Sequence, residues 1–304
     1  MKGYKAFEKG LICRGKQYAE NAVFEEKEAR ICYKGMHFCE NPFDVLDYYP
    51  LVNDDGTFND FAEVEALDET KTDDNKKFCT TKLKIGAKLS FGNFVNACVD
   101  FILEKTKYKA GECTKSDNGG DYAKIGSSGD SAQIGSSGYS AKIGSSGDYA
   151  KIGSSGDYAK IGSSGDYAKI GSSGYYAKIG SSGDSAKIGS SGYYAKIGSS
   201  GDSAQIGSSG DSAQIGSSGD SAKIGSSGYS AQINSEGRYA VICCAGHDST
   251  AKGKVGSWIT LSEWKYSDKE GAWIPICVKT RKIDGRRIKA DTYYKLVDGK
   301  FVEV

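Results

Sequence analysis

Glycine recurs every nine residues from Gly120 to Gly228, and each of these glycines opens one copy of the same word. The word reads Gly, Asp or Tyr, Tyr or Ser, Ala, Lys or Gln, Ile, Gly, Ser, Ser. Thirteen copies follow this form, the last with Asn234 and Glu236 at its seventh and ninth positions, and a fourteenth, "GRYAVICCA" from Gly237, is degenerate. A strict short period is the signature of a stacked array, in which no single copy can bury its own apolar face. Within "YAKI" the residues alternate, Ala and Ile to one side, Tyr or Ser and Lys or Gln to the other, as in a strand with one buried face. "GSSG" then reads as a corner, with glycines free to take positive φ. A helix is excluded because two glycines in each copy would each cost about 1 kcal/mol. A flexible linker is the rival for so much Gly and Ser, but it has no reason to keep an invariant Ala/Ile pair. One isoleucine contributes only about 2–3 kcal/mol by burial, so stability must come from stacking coil on coil.

The positions of tyrosine give the number of copies per coil. Tyr stands second in the word only at Tyr139, Tyr175, Tyr193 and Tyr229, in copies 3, 7, 9 and 13. Two copies per coil put all four on one side; three would split them. The expected array is a flattened roll with two copies of the word in each coil. At a strand spacing of ~4.8 Å its roughly 6.5 coils rise about 31 Å.

Charge and cysteine content limit the function classes. The chain has 304 residues with 40 basic and 39 acidic groups, a formal charge of +1. Residues 1–118 carry 18 basic and 21 acidic groups, 119–236 carry 9 and 10, and 237–304 carry 13 and 8. In the repeat nine Asp are matched by nine Lys, which argues against an acidic mimic of DNA. Calcium is not expected either, because paired carboxylates are missing and Asp is replaced by Tyr in four copies. No apolar run approaches the ~20 residues of a membrane span, and "MKGYKAFEKG" lacks the apolar stretch of a signal peptide. Nine cysteines at irregular spacing read as reduced thiols. A cytoplasmic protein, with no membrane contact and nucleic acid not expected as a partner, is the resulting reading.

The expected architecture is mainly β, in three parts. Residues 1–118 form an α+β domain, 119–245 the nonapeptide-repeat β-solenoid, and 246–304 a small antiparallel β cap. In the first part "GYKAFEK", "EARICYKGMHFC", "FAEVEAL" and "TTKLKIGAKLSF" read as strands, and a helix starts at "NPFDVLDYY". Asn41 suits its N-cap and Pro42 its first turn. Cys32, His37 and Cys39 lie close enough in sequence to ligate zinc with Cys13 as a fourth ligand, but no C-x-x-C pair exists. His37 and Cys39 share a strand face, although nothing marks a third group to orient them. No catalytic residue, metal or cofactor is therefore assigned. In the last part "GSWITLSEW" and "GAWIPICVKT" alternate like strands, and Asp-Gly in "KIDGRRIK" and "LVDGKFVEV" predicts two hairpins. These strands are expected to cover one end of the roll and the first domain the other, because an open solenoid end exposes unpaired edges. Lys279, Arg281, Lys282, Arg286 and Arg287 make the last part basic, a candidate phosphate or partner patch.

"KGYKAF", "CRGKQY", "GMHFCENPFDVLDYY" and "AEVEAL" together resemble the start of a family of uncharacterised proteins of phages and bacterial mobile elements. Members pair such a domain with a Gly/Ser-rich nonapeptide array and a close similar to "GSWITLSEW" and "VKTRKIDGRRIKADTYYKLVDGKFVEV". "GMHFCENPFDVLDYY" followed by "FAEVEAL" is also similar to a segment of the ADP-ribosyltransferase fold. That resemblance implies Arg14 on an NAD-facing strand and His37 against nicotinamide. It also implies a later strand with a ribose-binding glutamate, which "KKFCTTKLKI" does not supply.

The functional expectation is a non-enzymatic binding or scaffold protein presenting a rigid roll to a host protein, in the phage setting an inhibitor of a bacterial defence component. Tyr139, Tyr175, Tyr193 and Tyr229 are the candidate partner-binding residues, since tyrosine favours protein interfaces. Self-association through a solenoid face is open. The alternatives are an NAD-binding, degenerate ADP-ribosyltransferase-like first domain with Arg14 and His37 as remnants of its site, and a structural element of a virion.

Overall fold

The first twelve copies of the nonapeptide make the same strand, Lys-Ile-Gly-Ser or Gln-Ile-Gly-Ser, as in Lys151–Ser154 and Lys160–Ser163; the next two keep the strand as Gln-Ile-Asn-Ser and Val-Ile-Cys-Cys. This computed structural model describes residues 1–51, 53, 58–106, 115–118 and 120–304. Its architecture is mainly β, with a solenoid that follows a seven-stranded antiparallel sheet along the chain and ends in antiparallel hairpins. Ile143 pairs in parallel with Ile161, and Ile161 with Ile179. Each coil thus holds two copies, as the tyrosine spacing predicts. Odd and even copies build opposite sheets, and each sheet reaches ten strands among the described residues. The Ile and Ser of each strand point inward with the buried Ala, while Lys or Gln and Gly point out.

The strand lies two residues later than "YAKI", and the corner is Ser-Gly-Asp-Tyr rather than "GSSG". Two backbone constraints explain the shift. The third residue of the word, Tyr or Ser, is left-handed, with φ between 53° and 59° from Ser131 to Asp248, Ser140 excepted. Its N–H donates to the second-position carbonyl one coil on, as from Tyr149 to Asp166 at 2.8 Å, which offsets the ~1–2 kcal/mol of that conformation. The opening glycine is needed for space rather than for positive φ. A Cβ at Gly165 would lie 2.0 Å from the carbonyl oxygen of Gly147, so only hydrogen fits between stacked corners.

Residues 1–106 form a seven-stranded antiparallel sheet and two helices. The strand order is Val23–Glu25, Lys82–Leu89, Asp60–Ala66, Lys2–Phe7, Met36–Cys39, Lys77–Thr80, Thr70–Thr72. Helix α1, Pro42–Val45, starts as expected: Asn41 Oδ1 accepts the N–H of Phe43 at 3.0 Å. Helix α2, Phe91–Thr106, begins at the last residue of the expected strand "TTKLKIGAKLSF" and runs through a stretch for which no element is read from the sequence. Ser90 caps it, accepting from the N–H of Asn93 at 3.2 Å. Phe94 of α2 stacks on Phe61 of the sheet at 3.8 Å between ring centroids.

The first domain does not sit on an end of the roll; it lies along the flank. The reason is α2, whose second apolar side rests on the outward glycines of four successive odd-copy rungs. A Cβ at Gly198 would meet the Phe91 ring at 2.6 Å, at Gly180 the Val95 methyl at 3.0 Å, at Gly162 the Val99 methyl at 3.5 Å, and at Gly144 Ile102 at 3.3 Å. A helix apolar on two sides is one buried between two layers. Alongside, lysines of these rungs hold α1. Lys142 pairs with Asp44, Lys160 Nζ lies 2.6 Å from Asp47, and Lys178 donates to the Leu46 carbonyl at 2.5 Å. Burial pushes the amine of Lys178 down to about 8, aided by Lys160 beside it.

The C-terminal part extends both sheets and ends each in an antiparallel hairpin. Trp258–Ser267 continues one sheet in parallel and Ala272–Lys282 closes it. Tyr294–Val297 and Lys300–Glu303 close the other. Asp298 and Gly299, at φ 48° and 65°, make the expected hairpin turn. Asp284-Gly285 does not: Asp284 Oδ1 accepts from the N–H groups of Arg286 and Arg287, both at 2.8 Å, and folds the chain into a capped turn.

Glycine at the corner and glycine in the strand should respond oppositely to a methyl group. Gly165→Ala is expected to destabilise the roll by at least about 3 kcal/mol through overpacking. Gly171→Ala, where a Cβ meets nothing within 4 Å, is expected to be neutral or to stabilise by about 0.4–1 kcal/mol. Denaturant unfolding of the two variants checks this.

Candidate functional site

Stacking turns each position of the word into a column, and the corner columns differ between the two edges of the roll. On the even-copy edge the second position is Asp from Asp130 to Asp220, and each carboxylate accepts the N–H of its equivalent one coil on. Asp148 takes that of Asp166 at 2.8 Å and Asp166 that of Asp184 at 2.7 Å. The aspartates therefore brace the backbone rather than pair with lysines, whose columns lie on the broad faces.

The odd-copy edge breaks this rule four times. Tyr139, Tyr175, Tyr193 and Tyr229 replace Asp there, so the corner above each loses a carboxylate acceptor. All four are 43–49% exposed. They join third-position tyrosines in two stacked columns. Tyr158, Tyr176 and Tyr194 follow at 5.1 and 5.0 Å, and Tyr175 lies on Tyr193 at 5.2 Å with rings 9° from parallel. Tyr139 leans on Tyr158 at 5.2 Å. Further along, Tyr229 meets His247, which stacks on Trp273 at 3.9 Å. The result is an aromatic ridge along one edge, interrupted at Asp211 and Ser212; the opposite edge carries one stacked pair, Tyr149 and Tyr167 at 5.0 Å. Sequence reasoning finds the ridge's second-position members and misses the third-position ones, Tyr158, Tyr176 and Tyr194, because it assigns the third position to a strand face. Glu40, Asn41 and Lys76 of the first domain form a crevice with the near end of the ridge at Tyr122, Tyr139 and Tyr158.

Arg14 and His37 do come together. Both line a cleft of about 800 Å³ in the first domain, with Lys5, Lys16 and Lys77 and the rings of Tyr18, Tyr48 and Tyr49. Lys5 is buried, its amine pushed down by burial, and it donates to the His37 carbonyl at 3.0 Å beside Cys13 Sγ at 3.5 Å. His37 Nε2 accepts the N–H of Cys32 at 3.1 Å. Burial, then the charges of Lys5, Lys77 and Arg14, push its imidazole down to about 4. The pocket thus holds a neutral histidine among cations. Glu25, Glu26 and Glu28 stand on its rim, with Glu26 paired to Lys16.

The cysteines do not form a cluster. Cys13 lies 3.4 Å from the Tyr49 hydroxyl, and Cys32 lies 3.1 Å from Lys77 Nζ. Burial pushes the Cys39 thiol up to about 12, so it is no thiolate. Among the described residues no three His, Cys, Asp or Glu gather as metal ligands, and the described cysteines are free thiols; Cys113 lies outside the described residues. No helix among them is long and apolar enough to cross a membrane.

The basic residues of the C-terminal part are dispersed. Lys279 and Arg281 share one face of their strand and Lys282 takes the other, as a period of two requires. Lys279 donates to the Gly299 carbonyl at 2.5 Å and so fixes the hairpin. Arg286 and Arg287 are exposed on the Asp284 turn.

Residues 1–97 match the model of a domain of unknown function, DUF7666. No curated protein and no solved structure matches the chain.

His37 is expected to remain neutral to about pH 4. Its folded value lies below the ordinary 6.5, so between the two the unfolded chain binds the extra proton and stability falls as pH is lowered. The chain has two histidines, so a proton NMR titration of the protein and of His247→Asn assigns the signal. A His37 midpoint at the ordinary value would contradict the burial described.

Proposed function

We propose that the protein is a non-enzymatic binding protein whose rigid roll presents its aromatic ridge to a protein partner. In the phage or mobile-element setting suggested by the sequence resemblance, that partner is a host protein, such as a component of bacterial defence. The observation that carries this reading is the exchange of Asp for Tyr at four corners of one edge. Each exchange removes a carboxylate that would brace the next coil and leaves a half-exposed ring in its place. The exchange trades a backbone brace for a stacked ring of similar worth, and a surface selected for contact favours Tyr. The columns supply what a hot-spot surface needs: large rings held with little entropy left to lose.

Returning the four corners to Asp tests the reading. In Tyr139→Asp/Tyr175→Asp/Tyr193→Asp/Tyr229→Asp the hydrogen bonds gained, about 0.5–1.5 kcal/mol each, offset stacking of similar size. Stability should stay level or rise while partner capture from bacterial lysate is lost. Equal capture by the variant, or a collapse of its melting temperature, would make the tyrosines structural and defeat the proposal.

The cleft favours a second reading, a binding site for an anionic ligand with an aromatic ring, NAD among them. Six basic side chains and five tyrosines line this cavity beside three glutamates, and the cations and rings suit phosphates and a stacked base. Calorimetric titration with NAD is expected to show saturable binding that Arg14→Ala weakens about tenfold or more; absence of heat at millimolar NAD would discard it.

A further inference from the structure

The two broad faces of the roll are written in the same word, and the described residues of the chain occupy only one. On the occupied face the lysine column of Lys142, Lys160 and Lys178 grips α1 through Asp44, Asp47 and the carbonyls of Phe43 and Leu46. Beside it the glycine column is a trough filled by Phe91, Val95, Val99 and Ile102 of α2, spaced as one helix stripe. The chain thus shows what a Lys-Ile-Gly-Ser face holds: an apolar helix ridge in the trough with carboxylates and carbonyls over the lysines.

The even-copy face repeats both columns. Lys151, Lys169, Lys187 and Lys223 stand with Gln133 and Gln205 in the polar column. Gly153, Gly171, Gly189 and Gly207 form the trough, where an added Cβ meets nothing within 4 Å. Here Lys151, Gly153, Lys169 and Gly171 are exposed, whereas Lys160, Gly162 and Gly180 of the other face are buried. A cleft of about 850 Å³ runs along the column from Gln133 to Gln205. The six rungs from Gly135 to Gly225 span about 24 Å, the length of a helix of about 16 residues; α2 has 16.

We propose that this open face docks an amphipathic helix of a partner protein, with Val, Ile or Leu at i, i+4, i+8 and i+11 and a carboxylate-bearing flank. Charge selects this occupant. The outward positions of these rungs carry lysines and no carboxylate, so a second copy laid face to face would set lysine column against lysine column. An acidic flank finds amines at every rung where Lys stands, as α1 does on the other side. The surface is separate from the aromatic ridge, so the two proposals stand or fall independently.

The probe is a helix-constrained, fluorescent peptide as long as α2, with Leu or Val at those four positions and Glu along one flank. A matched peptide carries Lys in place of Glu. Both are titrated by anisotropy against the full-length protein and against Gly171→Leu/Gly189→Leu, which fills the trough where space exists. The acidic peptide is expected to bind saturably, the basic one at least about tenfold more weakly, and the filled-trough variant is expected to lose binding while keeping its melting temperature. Lys151→Glu/Lys169→Glu/Lys187→Glu should invert the preference between peptides. No saturable binding of the acidic peptide, equal binding of both peptides, or binding unchanged by the filled trough would each overturn the proposal.

Discussion

Close approach of identical corners is the constraint on which the rest of the molecule depends. Stacked coils put the opening glycine of one corner against the carbonyl of its equivalent in the coil before, with no room for a Cβ. Once that contact is made, strand hydrogen bonds run coil to coil in fixed register, isoleucines form one continuous core, and every outward position becomes a straight column. A column amplifies a single choice. One Lys is a solvated charge, whereas three in line grip a helix; one Tyr is an exposed ring, whereas a stack of them is a ridge. Positions where copies differ distinguish one edge of such a roll from the other, and positions where they agree make the columns along its faces that can hold a helix.

The roll is legible in the sequence because its period is strict and its apolar pair invariant. Even the count of two copies per coil can be read, from four tyrosines. The position of the corner cannot. "YAKI" alternates as well as a strand does, and nothing in the word says that Tyr149 and its equivalents take a left-handed backbone held by a bond to the next coil. That bond is between coils and leaves no trace within one copy. The third-position tyrosines are misplaced for this reason, and with them half of the aromatic ridge.

Helix α2 is the other instructive case. Ser90 ahead of Phe91, Val95, Val99 and Ile102 is a cap followed by a helical stripe, so the signal is present. It is masked because a second apolar stripe, Phe94 and Cys98, serves the sheet, and the segment does not look amphipathic. The position of the first domain on the flank follows from that two-sided helix. Arg14 and His37, well separated along the chain, meet in one cleft through pairing that neither position advertises. The five basic residues near the C-terminus look like a patch in sequence and are divided by strand alternation and a capped turn.

Two copies per coil also set a rule of parity on how such an array can change. Gaining or losing a pair of copies lengthens or shortens the roll and leaves every column intact. Gaining or losing a single copy, the unit that replication slippage on so repetitive a coding sequence would favour, sends every residue beyond the change to the opposite edge and face. Tyrosines would then cross to the aspartate edge, and the strands that meet the C-terminal hairpins would exchange sheets. Length is therefore free to drift in whole coils and is held fixed against half coils.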